Sequence, residues 1–294
     1  MEVVIWNSVL AVLKQVNKRH PRAKETYSHE DIVRVWFWAV IHDRPVSWAT
    51  RKANWPLHYR RRAIPSSSTM SRRLRSPEVQ TLIRMVEEGT IQPSQTRPLA
   101  WIVDGKPLVI GNCSKDRDAG YGRAGRGNSK GYKLHVICSF DGQIAAWDVA
   151  PMNIDERVMG RQLVRESRIQ GYLLADGNYD SNPLHDVCAE VGNLQLVARP
   201  RGGYGLTRRR KSQSTGRRRS ITLLENPSPM FGRTLLNLRD EIERHFGNLT
   251  NWGGGLTHLP PWARTLPRVH RWVQAKLILN ALKRRHRSTT YGNS

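Results

Sequence analysis

Cysteine is nearly absent: Cys113, Cys138 and Cys188 are the only three in 294 residues, an odd number with no Cys-x-x-Cys spacing. That excludes a disulfide framework and a Cys-based structural zinc, and it suits a reducing cytoplasm. His-x-x-x-His and His-Glu-x-x-His are also missing, so the ten histidines offer no zinc-protease motif. Long apolar runs are lacking; "VWFWAVI", Val35 to Ile41, is too short to span a bilayer. The opening residues lack the basic segment and cleavage site of a secretory leader, and no repeat of solenoid period is visible. "GNCSKDRDAGYGRAGRGNSKG", Gly111 to Gly131, is rich in glycine but has no Walker spacing, so a phosphate-cradling loop is not expected.

Acidic residues are scarce too. Lys and Arg number 48 against 24 Asp and Glu, a formal charge of +24. An excess of that size exceeds what solubility requires and points to a polyanionic partner. Ten Trp and eight Tyr among the arginines favour nucleic acid over a membrane, because guanidinium groups pair with phosphates while aromatic faces stack on bases.

From Met1 to about Glu88 the pattern is helical. Ser28 and Asp31 have the spacing of a capping box before an apolar stretch, and a second helix is expected from Pro45 or Ser47. A Ser-rich start then leads to a short helix bearing Arg72 and Arg73, followed by another after Pro77. Short helices between tight breaks fit a helix-turn-helix module with those arginines on DNA; a plain helical bundle with a solvated basic face fits as well. A boundary is expected in "GTIQPSQTRP", Gly89 to Pro98, giving a helical DNA-binding segment over 1–95. Beyond it, strand-like runs and then strands alternating with helices indicate an α/β layer with a mixed sheet over 96–287, ending in a disordered tail at 288–294. Within it, Arg201 to Ser220 reads as a basic, low-complexity loop in which Arg208, Arg209 and Arg210 contact phosphate. Lys130 and Lys133 are further candidate phosphate contacts.

Three Asp-Gly pairs punctuate this region. Asp141-Gly142 has strand-like flanks of similar length and reads as a two-residue hairpin turn. Asp176-Gly177 follows "YLLA" and precedes Pro183 and a helix, so Asp176 sits at the carboxyl end of a strand, where sites collect in α/β sheets; a loop-stabilising role is the other reading. Asp104-Gly105 lies between short apolar flanks, and Pro107 makes the second flank a poor central strand. Two neighbouring carboxylates repel unless a metal neutralises them. "NLRDEIERHFGNLTNW" offers a third. With Asn237 as N-cap, Leu238, Ile242, Phe246 and Leu249 form an apolar stripe, Glu243 borders it beside Arg239, and Glu241 is solvated. Asp155 is expected to cap a helix and Asp180 to shape the Asp176 loop.

Taken in order, apolar-Asp-Gly at Asp104, "SKGYKLHVICSFDG" with "APMNIDE", "LLADGNYDS" and "LRDEIERHFGNL" resemble the DDE transposases of bacterial insertion sequences over about Trp101 to Trp252. The resemblance implies an RNase H-like mixed sheet flanked by helices, with Asp104, Asp176 and Glu243 as catalytic ligands of two Mg ions that Mn can replace. It implies phosphodiester hydrolysis and strand transfer on double-stranded DNA, at element ends and target, by a homodimer in the bacterial cytoplasm at the nucleoid. A subset of these enzymes has a Tyr, Arg, Glu and Lys signature; Arg239 and Glu243 match it, whereas Leu236 and Thr250 stand in place of the Tyr and Lys. An inactive DNA-binding derivative, and a nuclease on the same fold, are the competing readings.

Overall fold

The computed structural model describes residues 2–17, 26–91, 98–125, 127–200, 213–225, 230–251, 256 and 259–291. The N-terminal part is helical: α1 (Glu2–Asn17), α2 (His29–Ile41), α3 (Val46–Ala49), α4 (Ser67–Arg73) and α5 (Pro77–Thr90). The capping box forms as the spacing requires. Ser28 Oγ accepts the Asp31 N–H and Asp31 Oδ2 accepts the Ser28 N–H, both at 3.1 Å. Every residue of α2 from Ile32 to Val40 is buried, as expected of a helix that is apolar almost all round and central to a bundle. Ser76 caps α5, with Pro77 in its first turn, where a missing N–H costs nothing.

Among the described residues the second part is built on six strands: β1 (Ala100–Val109), β2 (Gly120–Ala124), β3 (Gly127–Ser139), β4 (Ile144–Pro151), β5 (Gly171–Ala175) and β6 (Leu194–Ala198). Across the sheet β4 pairs with β3, followed by β1, β5 and β6. The β4–β3 and β3–β1 pairs are antiparallel, while β1–β5 and β5–β6 are parallel. β2 is a short addition, antiparallel to the first residues of β3. The Gly-rich segment thus ends as a hairpin.

The parallel pairs need crossovers, supplied by α6 (Glu156–Ser167) before β5 and α7 (Asn182–Glu190) before β6. Both cover one face of the sheet, burying Val103, Ile137, Leu173 and Ala175 against Leu163 and Leu184. Asp155 caps α6 as expected, accepting the Arg157 N–H at 2.8 Å. The Asp141-Gly142 turn closes β3 onto β4 through Phe140–Gln143, four residues rather than two. Gly142 has φ +75°, and a Cβ there would meet His245 Nδ1 at 2.5 Å, so glycine is required twice over.

The other face packs on α10 (Glu241–Asn251), on α11 (Leu266–Tyr291) and, through α11, on the N-terminal helices. One continuous core runs from Trp6 and Phe37 through Trp272 and Ile278 to Leu134 and Val136. The change from helices to strands after Ile91 is therefore not a break between two cores.

α11 joins these layers. Trp272 is 1% exposed and meets Trp36 edge-on at 6.0 Å between centroids. Lys276, fully buried, donates to Val40 O at 3.1 Å and pairs with Asp43. Its first turn is held from far away in sequence: Asp116 Oδ2 accepts the Thr265 N–H at 2.9 Å, and Asp118 Oδ2 accepts the Leu266 N–H at 2.8 Å. These two carboxylates satisfy orphan donors at the helix start. Burial pushes the Asp116 carboxyl up, but the N–H of Thr265, the Tyr132 hydroxyl at 2.8 Å and the Asp118 N–H outweigh it and leave the group below its ordinary value.

Two expected boundaries shift. Residues 288–291, read as the start of a disordered tail, continue α11 to Tyr291, because nothing in "RHRSTTY" breaks a helix already nucleated. Within the basic stretch, Thr215 onward is not low-complexity loop but α8 (Thr215–Glu225), which buries Ser220 and Ile221; residues 201–212, with Arg208, Arg209 and Arg210, lie outside the described residues.

Candidate active site

Asp104 lies in the middle of β1, with no turn at Gly105. Pro107 is accommodated because β1 pairs with β5 only over Ala100–Ile102, so its second half has a neighbour on one side alone. The parallel register sets Ile102 opposite Leu174. Continued by two residues, it brings Asp176, just past the end of β5, alongside Asp104. Strand geometry therefore delivers the two carboxylates where β1 and β5 separate.

Asp176 caps the 3-10 turn Gly177–Tyr179: its Oδ1 accepts the Asn178 N–H at 2.9 Å and its Oδ2 the Asn178 side-chain amide at 3.2 Å. Asp104 Oδ1 accepts the Gly105 N–H at 2.7 Å. Burial pushes the Asp104 carboxyl up to about 6; the Gly105 N–H opposes this, the neighbouring Asp176 adds to it, Arg239 opposes it, and Glu156 adds to it. Two neighbouring carboxylates suit a divalent cation, and an all-oxygen donor pair suits Mg or Mn better than Zn.

Glu156, at the first position of α6, joins the site without a motif to mark it in the sequence. Its carboxylate accepts from Lys133 Nζ at 2.5 Å, and both side chains are largely buried. Gly105 makes that pair possible: a Cβ at this position would stand 2.7 Å from Lys133 Cδ, so only glycine lets the lysine lie across β1. Tyr179, fully buried, has a hydroxyl without a partner, and burial together with Asp104, Glu156 and Asp176 holds its pKa well above the ordinary value. His135 is equally enclosed: neither ring nitrogen has a partner, and burial, with Lys133 adding to it, lowers it to about 4.

The helix expected to supply the third carboxylate starts later. Asn237 is helical, with no capping bond, and closes α9 (Phe231–Asn237). A 3-10 turn over Leu238–Asp240 then rephases the chain. Hence Ile242, Phe246 and Leu249 are buried as one stripe, whereas Leu238, expected among them, is 42% exposed and Leu235 and Leu236 are buried instead. α10 lies beside β1, where Lys106 Nζ sits 5.6 Å above the Phe246 ring. Glu243 is exposed rather than bordering the core, and Glu241, expected to be solvated, is partly covered and pairs with Arg244 at 2.7 Å. Among the described residues no three His, Cys, Asp or Glu side chains stand close enough to hold a metal ion.

The expected DNA contacts divide. Arg72 is exposed. Arg73 is only 6% exposed, donating to Tyr27 O at 3.3 Å and bonding His29 Nδ1 at 2.8 Å; it braces α4 against the start of α2 and does not face solvent. Lys133 is turned inward to Glu156. Lys130 donates to Ser114 O at 2.7 Å, tying the Gly-rich segment to β3.

The strand order β4-β3-β1-β5-β6, with crossover helices on one face, Asp104 on one central strand and Asp176 just past the end of its neighbour, defines an RNase H-like class of fold. Within that class the family is shown by sequence: the model of the transposase DDE domain matches residues 95–281, and the chain belongs to that family. No curated protein matches the chain significantly. Among solved structures, the cryo-EM structure of the piggyBac transposase synaptic complex with hairpin DNA is similar at a TM-score of 0.50 and 11% identity, covering 99% of this chain and 76% of that one. No helix among the described residues is long and apolar enough to cross a membrane.

The raised Asp104 pKa fixes a pH dependence. Its folded value, about 6, lies above the ordinary 3.8. Between those values the folded state holds more protons than the unfolded one, so this group's contribution to stability falls as pH rises through that window and stays lower above it. Asp104→Asn is therefore expected to stabilise the metal-free protein at pH 7.5, by at most the ~3 kcal/mol that two pKa units represent, and so to raise its melting temperature there, while leaving it nearly unchanged at pH 4. Melts at both values check this; a loss at pH 7.5 would contradict it.

Proposed function

We propose that the chain is an active DNA transposase that hydrolyses phosphodiesters at insertion-sequence ends and transfers the freed 3′-hydroxyls to target DNA, working as a homodimer with Mg, which Mn can replace. The observation that carries this is the juxtaposition of Asp104 and Asp176 at the parting of β1 and β5, in a chain of this family. The two carboxylates would hold divalent metal, which supplies an activated nucleophile and charge neutralisation at the leaving oxygen. Arg239, which already acts electrostatically on Asp104, would bind a non-bridging phosphate oxygen. The piggyBac complex contains hairpin DNA, and the +24 charge supports a DNA partner here as well. Arg72, Lys130 and the 208–210 arginines remain the proposed phosphate contacts.

The third ligand has two claimants. Glu243 is the residue the family motif selects, and α10 would have to bring it inward when metal and DNA bind. Glu156 is favoured by its electrostatic proximity to Asp104, but it is neutralised by Lys133. Glu243→Gln is expected to reduce cleavage by at least ~100-fold, since one metal ligand supplies a few kcal/mol at the transition state. Glu156→Gln should reduce it far less. The reverse order in a single-turnover assay would reassign the ligand.

The decisive test is incubation of the full chain with Mg and a duplex carrying the inverted repeats that flank its gene. Cleavage leaving a 3′-hydroxyl that joins a second duplex supports the proposal. Cleavage without joining makes it a nuclease, and binding without cleavage under Mg or Mn makes it a DNA-binding derivative.

A further inference from the structure

Away from the carboxylates, a cavity of about 450 Å³ opens between α3, α4, α5 and the start of α11. Its walls include three indoles, Trp36, Trp262 and Trp272, and three arginines, Arg75, Arg268 and Arg271. The ring nitrogens of all three tryptophans are buried without an acceptor. Buried indole N–H groups normally find one, so three orphans around one cavity mark a place where acceptors are wanted.

The arginines point to the same conclusion independently. Among the described residues, no Asp or Glu lines the cavity. Arg271 donates to Leu74 O at 2.7 Å and Arg75 to Ser71 O at 3.0 Å, both neutral carbonyls. Burial, then Arg268 and Arg75, lower the Arg271 pKa, and no carboxylate offsets them. Arg271, half-buried beside two exposed like charges and without a described counter-charge, is the group whose cost an anion would relieve, and Arg75 and Arg268 stand beside it to share that anion.

The volume falls in the range of small-molecule sites. Trp262 and Trp36 each meet Trp272 edge-on, so the walls offer flat aromatic surface beside the charge. From the combination of aromatic surface, unpaired donors and uncompensated guanidinium groups, we infer that this cavity binds a nucleoside monophosphate, the base against the indoles and the phosphate on Arg75, Arg268 and Arg271. The ligand is either a free mononucleotide or the phosphorylated terminal nucleotide of a strand. The site is separate from the Asp104 and Asp176 pair, and its occupancy does not depend on catalysis there.

The test is titration of the full chain, without divalent metal, with adenosine 5′-monophosphate, a 5′-phosphorylated trinucleotide, adenosine and inorganic phosphate, read by tryptophan fluorescence and calorimetry. Saturable quenching by one or both phosphorylated nucleotides is expected, with adenosine and phosphate weaker by at least tenfold. Arg75→Gln/Arg268→Gln, which changes two exposed side chains, should weaken binding by roughly tenfold or more, the scale of lost charge-assisted hydrogen bonds. Trp262→Phe should reduce both quenching and affinity, and unaltered circular dichroism and melting verify both variants' fold. Equal binding of the mononucleotide and trinucleotide identifies a free nucleotide as sufficient; binding of the trinucleotide alone identifies a strand end. Absence of saturable binding up to millimolar ligand, or binding unaffected by Arg75→Gln/Arg268→Gln, overturns the inference.

Discussion

Asp176→Asn is expected to lower Mg-dependent DNA cleavage by on the order of a thousandfold or more, while the affinity for DNA in the absence of metal stays close to that of the native chain. The first half follows from what a metal-held carboxylate does. It fixes the cation that carries several kcal/mol of transition-state stabilisation, and each 1.36 kcal/mol is tenfold in rate. The second half follows from charge. Removing one negative group from the site cannot weaken attraction to phosphates and should strengthen it slightly. The substitution is close to isosteric, and Asn can retain the capping bond that Asp176 makes to the Asn178 N–H, so the turn should persist. Cleavage rates at saturating protein, beside filter binding without metal, measure the two halves. Residual cleavage within tenfold of native would show that Asp176 is not a ligand.

Asp180→Ala should be the most damaging single change to stability near the site. The Asp180 side chain is 3% exposed and accepts two bonds from Arg217, from Nε at 2.8 Å and from a terminal nitrogen at 2.6 Å, with His185 Nε2 3.3 Å away. Three elements meet there: the turn carrying Asp176, α7 and α8. Removing the carboxylate strands a guanidinium that is itself only 14% exposed, and breaking a buried pair in this way costs ~3–5 kcal/mol. For a chain of this size that corresponds to a fall in melting temperature of roughly 10 °C. Asp180→Leu combined with Arg217→Met should lose much less, because no charge is left buried alone. If the double variant melts no higher than Asp180→Ala, the loss comes from packing and not from the stranded charge.

The Asp pair was legible in the sequence because local signals bracket it: apolar runs that end in Asp-Gly, one followed by Pro183 and a helix. The capping box at Ser28 and the turn at Gly142 were legible for the same reason. What escaped depends on contacts between distant segments. A list of basic residues counts Arg73 and Lys133 as surface charge; only the fold turns them toward His29 and Glu156. The apolar stripe of α10 was read through Leu238 because helical periodicity assumes an unbroken helix, and the 3-10 turn at Leu238–Asp240 resets the phase. Asp116 and Asp118 cap a helix that begins about 150 residues later, a pairing without local signature. Glu156 has no local signature of its own, because Asp155 beside it fully explains the start of α6.

The position of α11 also orders events during synthesis. Trp36, Phe37 and Trp38 leave the ribosome early, but the helix that covers Trp36 and receives Lys276 emerges only after the whole sheet has been made. At about 5–20 residues per second that interval is on the order of 10–50 s, during which α2 keeps an unfinished apolar flank. In a nascent chain both Asp104 and Asp176 are therefore synthesised before the N-terminal helices have a finished seat, and a message truncated before Leu266 would lack the helix that completes it.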